Sequence, residues 1–422
     1  MNWSKRHILL YGTSIAAVGY VFSIATTSIG IFSMALAWLI NVKEHNFNAL
    51  FSKKNIVLII LFTFFLLFNL SISLDETQGK NLIFRHISLP VFALFFATIK
   101  PFNLKERLFI SRFYSFSISV FISISIIYAI YRQIVFSNQG GHFNWYFFYR
   151  YDFLDLLDQH PTYVAMYTLL SLSFLLFNRK LTLSNKYINY FIILLHLLGI
   201  ILIGSRIGYI ILVVLILIHF YRNIRINTQK NRVKVILVYV LLLFISIGVL
   251  SKIPIVKERI LFTLGYNYDY KYNSFIKDQN PVTQGRMLLW EDAVELIIKK
   301  PFFGYGLGSN DIVLAKKYKE KNQLLFLEKE YNVHNMYLEL LVAGGIFLLL
   351  LYIGILVSLL LNSISNKSYV AFSFFIIMLL TSITETIFRV QGIVFIAFFY
   401  SFFLFSDMQR ASSGGISNTS NK

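Results

Sequence analysis

Apolar runs alternate with short polar connections along almost the whole chain, and membrane thickness sets the rhythm. Runs long enough to span, at about 17 to 25 residues, fall near 8–24, 26–41, 55–73, 83–99, 109–131, 161–178, 187–203, 207–221, 233–250, 335–361, 369–387 and 391–406. These twelve runs put both termini on one side of a membrane. The long interruption is 251–334, polar and charged where its flanks are apolar. At the amino end, Lys5-Arg6 ahead of Ile8 to Ala25 has the charged and apolar parts of a signal peptide. A second apolar run follows at once, which predicts an uncleaved first span.

The segment from Lys186 to Arg222 could be one unbroken helix, but at 1.5 Å per residue it would exceed about 50 Å against a hydrocarbon core of about 30 Å. It must break. Gly204-Ser205-Arg206 joins a flexible residue, a capping residue and a charge, so the break is placed there. Inside the long polar segment, Leu289, Trp290, Ala293, Val294 and Ile297 keep helical spacing, predicting an amphipathic helix over Arg286 to Lys300. Thr283 would cap it, Lys299-Lys300 suit its carboxyl end and Pro301 stops it. Asp311 to Glu330 predicts a second, more charged helix, and 409–422 a polar disordered tail.

Lysine and arginine then orient the chain. Lys43, Lys53 and Lys54; Lys100, Lys105 and Arg107; Arg179, Lys180 and Lys186; and Arg222, Arg225, Lys230 and Arg232 lie in alternate connections, which the positive-inside rule makes cytoplasmic. Ser73 to Lys80, Asn138 to His160 and 251–334 fall on the opposite side. The expected organisation is an all-α polytopic membrane protein. It has spans 1–9 within 1–250, a long loop at 251–334 on the outer side between spans 9 and 10, spans 10–12 within 335–408, and a cytoplasmic tail at 409–422.

Composition agrees with this class. The 422 residues are 57% hydrophobic and 14% charged, with a mean hydropathy of +0.65, too apolar for a soluble domain. In a membrane protein the net charge of +19 is a matter of sidedness, and no nucleic-acid partner is expected. The absence of cysteine excludes disulfides, thiolate metal sites and cysteine nucleophiles.

Candidate chemistry collects at the outer edge. Arg206 is either a boundary arginine reaching for the interface or an anion ligand offering a fixed fork of donors to phosphate or carboxylate. Arg286 is either a solvated charge or, at the start of its helix where backbone N–H groups are unpaired, a phosphate ligand. Two arginines on one face suit a diphosphate. His334 precedes Asn335, which can cap the tenth span; the positive end of that helix favours a neutral imidazole able to take a proton. Alone it reads as an interfacial hydrogen-bonder, and beside two anion-binding arginines as a general base. Glu385 and Arg389, spaced i to i+4, form either an intrahelical ion pair or a carboxylate that orients His334 or an arginine. His160, ahead of Pro161, caps the sixth span or contacts substrate. Gly304-Tyr305-Gly306-Leu307-Gly308 lacks the strand and the Lys-Ser/Thr of a nucleotide loop and reads as a turn after Pro301. No His, Asp and Glu set has metal-ligand spacing, and neither metal nor cofactor is expected.

The set of motifs resembles the O-antigen ligase and polymerase superfamily of bacterial envelope glycosyltransferases over roughly 187–350. Gly204-Ser205-Arg206 is similar to the Ser-Arg or Thr-Arg that starts a span in that family. Gly285-Arg286 with Trp290, Pro301 to Gly308, and His334-Asn335-Met336-Tyr337-Leu338-Glu339 before Gly344-Gly345 are similar to its long-loop signature. Some ligases carry Asp where Glu385 stands. The resemblance implies a GT-C-like fold in the bacterial inner membrane. It also implies inverting, metal-independent transfer of a glycan from undecaprenyl diphosphate to an acceptor hydroxyl at the periplasmic face. Arg206 and Arg286 would bind the diphosphate and His334 would deprotonate or orient the acceptor. A ligase uses lipid A core as acceptor and a polymerase another lipid-linked repeat; the single dominant loop favours ligase. A transporter of lipid-linked glycan is the rival of another class, but it would be expected to carry midplane charges and paired halves.

The assigned orientation makes a direct prediction. Alkaline phosphatase fused after Asn310 should be active and a fusion after Arg225 inactive; the opposite pattern would invert the chain and move the cluster to the cytoplasm.

Overall fold

A computed structural model of the protein describes residues 3–48, 50, 54–178, 186–226, 266–269, 274–277, 282–388 and 392–406. The first half contains α1 (Trp3–Ala16), α2 (Gly19–Phe22), α3 (Ile24–Ile40), α4 (Lys54–Ser71), α5 (Glu76–His86), α6 (Ser88–Thr98), α7 (Leu104–Asn138), α8 (Arg150–Leu154), α9 (Pro161–Phe177), α10 (Lys186–Ile203) and α11 (Arg206–Ile226). A two-stranded antiparallel hairpin of β1 (Tyr266–Asp269) and β2 (Ser274–Lys277) follows, pairing Tyr266 with Lys277 and Asp269 with Ser274. Then come α12 (Val282–Lys299), α13 (Asn310–Glu320), α14 (Leu324–Glu328), α15 (Met336–Ser365), α16 (Tyr369–Thr384) and α17 (Gly392–Ser406).

The protein is thus a helical membrane protein, with the β1–β2 hairpin inside the long loop as an element the apolar pattern does not announce. Among the described residues, four helical stretches are long and apolar enough to cross a membrane: Glu76–Thr98, Leu104–Asn138, Arg206–Arg225 and Met336–Ser365. A fifth results if Arg150–Leu157 and Pro161–Phe177, bent by 82°, count as one broken span. The expected twelve spans are therefore not all found as full-length helices. Shorter apolar helices occupy other predicted positions, including Ala25–Ile40, Asn55–Ser71, Tyr187–Ile203, Tyr369–Thr384 and Gly392–Phe405. At 1.5 Å per residue, 16 or 17 residues reach only about 25 Å. The predicted ninth span, 233–250, the tail at 409–422 and Arg389 lie outside the described residues.

Local physics explains where the helices differ from the apolar runs. The first run is interrupted after Ala16, and Ser23 restarts the chain as α3 through a capping box with Thr26. Part of the Ser73–Lys80 connection is helical, because the Asp75 side chain accepts from Gln78 N and caps α5. Where 187–221 needed a break, α10 stops at Ile203, Gly204 takes φ +66°, and the Ser205 hydroxyl accepts from Gly208 N to start α11. Thr283 is not a cap but lies in the first turn of α12, which begins at Val282. The predicted helix over Asp311–Glu330 is two, divided near Asn322 with φ +55°.

α9 is apolar all round and buried from Pro161 to Phe174, so it runs through the middle of the bundle. Aromatic residues fill the space about it: Tyr167 packs 4.9 Å from Tyr20 and 4.8 Å from Phe395, and its carbonyl accepts from Tyr114 Oη at 2.9 Å. Outward-facing Phe32, Phe64, Phe116 and Ile127 are exposed, as expected of a surface facing lipid.

The long polar segment has a small core of its own, built from Leu289, Ala293 and Leu296 on α12, Leu314 and Tyr318 on α13, and Val333 and Val342. Lysines on α13 and just beyond it clamp α12: Lys317 reaches Glu295 at 2.5 Å, and Lys321 reaches Asp292 and Glu295, each at 2.6 Å. Hydrogen bonds from Lys317 and Lys321 hold the Glu295 carboxyl down at about 2.

This unit is fastened to the bundle by backbone. α15 is opened at Gly345, which takes φ +62° and ψ −159°. Into the opening fits the turn Pro301 to Gly308: Tyr305 N donates to Val342 O at 2.9 Å, Gly306 N to Ala343 O at 2.8 Å, and Ile346 N to Pro301 O at 2.8 Å. Gly308 N also donates to Ser73 Oγ at 2.9 Å, and Ser309 Oγ accepts from Leu74 N at 2.7 Å. The glycine-rich stretch is a turn that docks backbone on backbone. A Cβ at Gly345 would lie 2.2 Å from Phe302 O, and one at Gly304 would lie 2.5 Å from Val342 O.

Two glycines should therefore respond in opposite directions. Gly345→Ala should lose about 1–3 kcal/mol, the cost of holding a residue with a Cβ in a backbone region essentially confined to glycine, and lower the melting temperature of the purified protein. Gly285, helical and with nothing within 4 Å of its missing Cβ, should tolerate Ala with a gain of about 0.5–1 kcal/mol. Equal melting temperatures for wild type and Gly345→Ala would show that the docked turn is not under the constraint described.

Candidate functional site

Four chain segments distant in sequence meet at Glu385. The α16 helix ends at Thr384, and Glu385 follows in extended conformation with φ −145° and ψ 150°. An i to i+4 helical pair with Arg389 is therefore not available from its side. Instead the residue is only 8% exposed and its side chain turns inward. Glu385 Oε2 lies 3.3 Å from His334 Nδ1, Oε1 lies 3.4 Å from Arg286 Nη2, and Thr162 Oγ1 donates to Oε1 at 3.4 Å. Burial raises the pKa of this carboxyl, but the hydrogen bond from His334 and the charges of His160, His334 and Arg286 outweigh that, leaving it below the usual carboxylate range. It is an ionised buried carboxylate with partners on three segments.

His334 is set by its neighbours along the chain. It takes φ +48°, a left-handed conformation uncommon outside glycine. Its N–H donates to Asn332 Oδ1 at 2.8 Å, closing a side-chain turn, and Asn335 caps α15 by accepting from Tyr337 N at 3.0 Å and Leu338 N at 3.1 Å. From α12, Trp290 Nε1 donates to Val333 O at 3.1 Å. That bond gives the Trp290 of the long-loop signature a physical reason: it ties the helix carrying Arg286 to the residue before His334. With Nδ1–H pointed at Glu385, Nε2 is the ring nitrogen left to face a ligand.

Arg286 lies in the first turns of α12 and Arg206 is the first residue of α11; both are half-buried. Arg206 sits within the field of Arg286, Arg150, Tyr149 and Glu385. His160 caps α9 by accepting from Thr162 N at Nδ1, 3.3 Å away, which supports the capping alternative; its ring packs on Tyr151 and Tyr163. It also feels Glu385, His334, Arg150 and Arg286. Arg206, Arg286, His334, Glu385 and His160 thus share one end of the bundle.

Arg150 joins them, and nothing in the sequence singled it out. It adopts φ +54°, its Nε is buried without a hydrogen-bond partner among the described residues, and its charge reaches both Arg206 and His160. Gly204 makes room for it, since a Cβ there would lie 2.6 Å from Arg150 Cγ and 2.5 Å from the Tyr149 ring. The segment bearing it is held by Arg132 of α7, which binds Asp152 and Asp155 at 3.3 and 3.4 Å and lies over Phe147. The signal available in the sequence was an arginine among aspartates in an aromatic connection, which composition cannot separate from a surface ion pair. Among the described residues no group of three His, Asp or Glu side chains is placed to hold a metal ion.

Fold and cluster together define a helical membrane protein with arginines, a histidine and a buried carboxylate gathered at one end of its bundle. Residues 191–353 match the family model described as O-Antigen ligase, over the stretch in which the motifs resemble that superfamily. None of the curated proteins compared with the chain matches it. The matched segment includes Arg206, Arg286 and His334, while Arg150, His160 and Glu385 reach the cluster from outside it.

The Glu385 carboxylate also sets a pH dependence. Because its pKa is depressed in the folded protein, its pairs stabilise above the unfolded value near about 4.3 and are lost as pH falls through the lower folded value. Glu385→Gln should cost about 1–3 kcal/mol at pH 7 and flatten the acid limb of a melting-temperature profile. A variant profile parallel to wild type down to pH 3 would remove Glu385 as its source.

Proposed function

We propose that this protein is an O-antigen ligase-type glycosyltransferase. It moves a glycan from undecaprenyl diphosphate to a hydroxyl of lipid A core at the periplasmic face of the bacterial inner membrane. The observation that carries the reading is the convergence of Arg286 and His334 on one buried carboxylate, beside Arg206. The family supports lipid-linked glycans as substrates, and the single long loop favours ligase over polymerase.

In this reading Arg206 and Arg286, with Arg150 beside them, neutralise the donor diphosphate, whose charge grows as the glycosidic bond breaks. His334, its Nδ1–H directed at Glu385, takes the acceptor hydroxyl proton on Nε2. The acceptor oxygen attacks the anomeric carbon, and the bond to the leaving oxygen gives its electron pair to undecaprenyl diphosphate. A single displacement inverts the anomeric configuration. The leaving group departs without protonation, so the base on the acceptor side is the proton-transfer group that the reaction needs. Glu385 orients the base and, through Oε1, Arg286; its 3.3 and 3.4 Å contacts are of the length that tightens when substrate binds.

With purified protein, lipid-linked donor and acceptor, His334→Ala should lose about 10²- to 10⁴-fold in turnover while still binding donor. Arg206→Lys and Arg286→Lys, which keep the charge but not the planar fork, should each impair turnover at normal protein levels, and chelator should change nothing. Wild-type turnover in His334→Ala would remove the base from this account. In cells, deletion should leave lipid A core without polymer while lipid-linked polymer accumulates; attachment of single repeats would instead identify a polymerase.

A further inference from the structure

The two ring nitrogens of His160 stand in different surroundings. Pro161 opens α9, and His160 Nδ1 caps the helix by accepting from Thr162 N at 3.3 Å. A nitrogen that accepts carries no proton, so this bond assigns the neutral tautomer with its proton on Nε2. His334 is the opposite case: its Nδ1–H is directed at Glu385, and the lone pair is on Nε2.

Both rings lie around one carboxylate. Thr162, in the first turn of the helix that His160 caps, donates to Glu385 Oε1 at 3.4 Å, and His334 Nδ1 lies 3.3 Å from Oε2. The charges of Glu385 and His334 act on His160, as do those of Arg150 and Arg286. His160 is half-buried, and its Nε2 has no hydrogen-bond partner among the described residues. Tyr163 packs on it at 5.3 Å between ring centres, and Tyr151 stands edge-to-face at 5.6 Å. Tyr151 is 53% exposed, and the Arg150 guanidinium, 5.4 Å from its ring centre, ties it to the cluster.

We propose that His160 and Tyr151 form a subsite for the acceptor sugar, in which His160 Nε2–H donates to a sugar oxygen and the exposed part of the Tyr151 ring lies against the sugar's C–H groups. This rests on the reading of His334 as the base, which places the attacking hydroxyl at His334 Nε2. The oxygen that His160 meets is a different one, since a bond donated to the nucleophile would draw electron density from it. A neutral donor adds little to a diphosphate already met by guanidinium groups, whose charge-assisted bonds are about twice as strong, whereas a neutral sugar oxygen suits it. A sugar ring carries C–H groups on its faces and hydroxyls at its rim, and an aromatic ring beside a single fixed polar group matches both.

Two substitutions separate the nitrogens. Asn offers an acceptor near the place of Nδ1 and is a preferred helix cap, whereas Gln carries an N–H near the place of Nε2 and is not a preferred cap. The probe is deacylated lipid A core oligosaccharide, titrated calorimetrically into full-length protein in detergent without donor, with the melting temperature measured alongside. His160→Asn should weaken binding about five- to tenfold, the loss of one neutral hydrogen bond, at an unchanged melting temperature. In turnover assays it should raise KM for acceptor by the same factor and leave KM for the lipid-linked donor as it is. His160→Gln should recover most of the affinity while melting about 1 °C lower, and Tyr151→Ala should weaken binding about as much as His160→Asn. Wild-type affinity in His160→Asn, or affinity that follows melting temperature across the variants, would leave His160 as a cap alone. No saturable binding by the wild type would remove the acceptor subsite. Wild type that binds the oligosaccharide, loses affinity in His160→Asn and transfers no glycan would overturn the glycosyl-transfer reading and leave the sugar subsite standing.

Discussion

The opened turn of α15 at Gly345 is the constraint on which the rest of the long loop depends. A transmembrane helix normally keeps its hydrogen bonds to itself, because an unsatisfied backbone group in an apolar setting costs several kcal/mol. Here Val342 O and Ala343 O accept from Tyr305 N and Gly306 N, and Ile346 N donates to Pro301 O, so the opened helix is satisfied by the turn that docks on it. The exchange works only with glycine at the contact, since a Cβ at Gly345 or Gly304 would overlap backbone. This fastening places α12, and with it Arg286 and Trp290, over the start of α15.

The polar cluster follows from that placement together with the cost of burying a carboxylate. An isolated buried charge is expensive by several kcal/mol unless paired and hydrogen-bonded. Glu385 meets the requirement by drawing on Thr162 from α9, Arg286 from α12 and His334 from the entry to α15. Its partners are thereby oriented: a histidine with one nitrogen committed to a carboxylate keeps the other for a ligand. Positive φ values at Arg150 and His334 are local strain of the kind that surrounding contacts must hold in place. Arg132 supplies that support for the segment with Arg150, and Trp290 with Asn332 supplies it for His334.

Much of this was legible in the sequence because it rests on local rules. Apolar run length located most helices, the length of 187–221 against the bilayer forced a break, and Gly204-Ser205-Arg206 was the one place with the chemistry to make it. Asn335 as a cap and Pro301 as the stop of α12 are likewise decided within a few residues of themselves. Arg206, Arg286 and His334 stood out because each is a polar residue at the edge of an apolar helix or the start of an amphipathic one.

What the tertiary structure decided is what no local rule reaches. Apolar runs do not say whether a segment forms one full-length span, so helices that stop at 15 to 17 residues or bend by 82° near Pro161 were read as ordinary crossings. The pairing of β1 with β2 carries no hydrophobic alternation strong enough to announce it. The sequence left Glu385 between an ion pair with Arg389 and a carboxylate beside His334 or an arginine; the helix ends one residue too early for the first, and the carboxylate takes partners 51, 99 and 223 residues away. Arg150 was invisible for the same reason: its importance lies in the charges it is folded against. The sequence by itself determined a membrane protein with its candidate polar residues at one edge, since hydropathy and capping are properties of neighbours along the chain. Which carboxylate joins which cations was left to the fold, because electrostatic partners are neighbours in space.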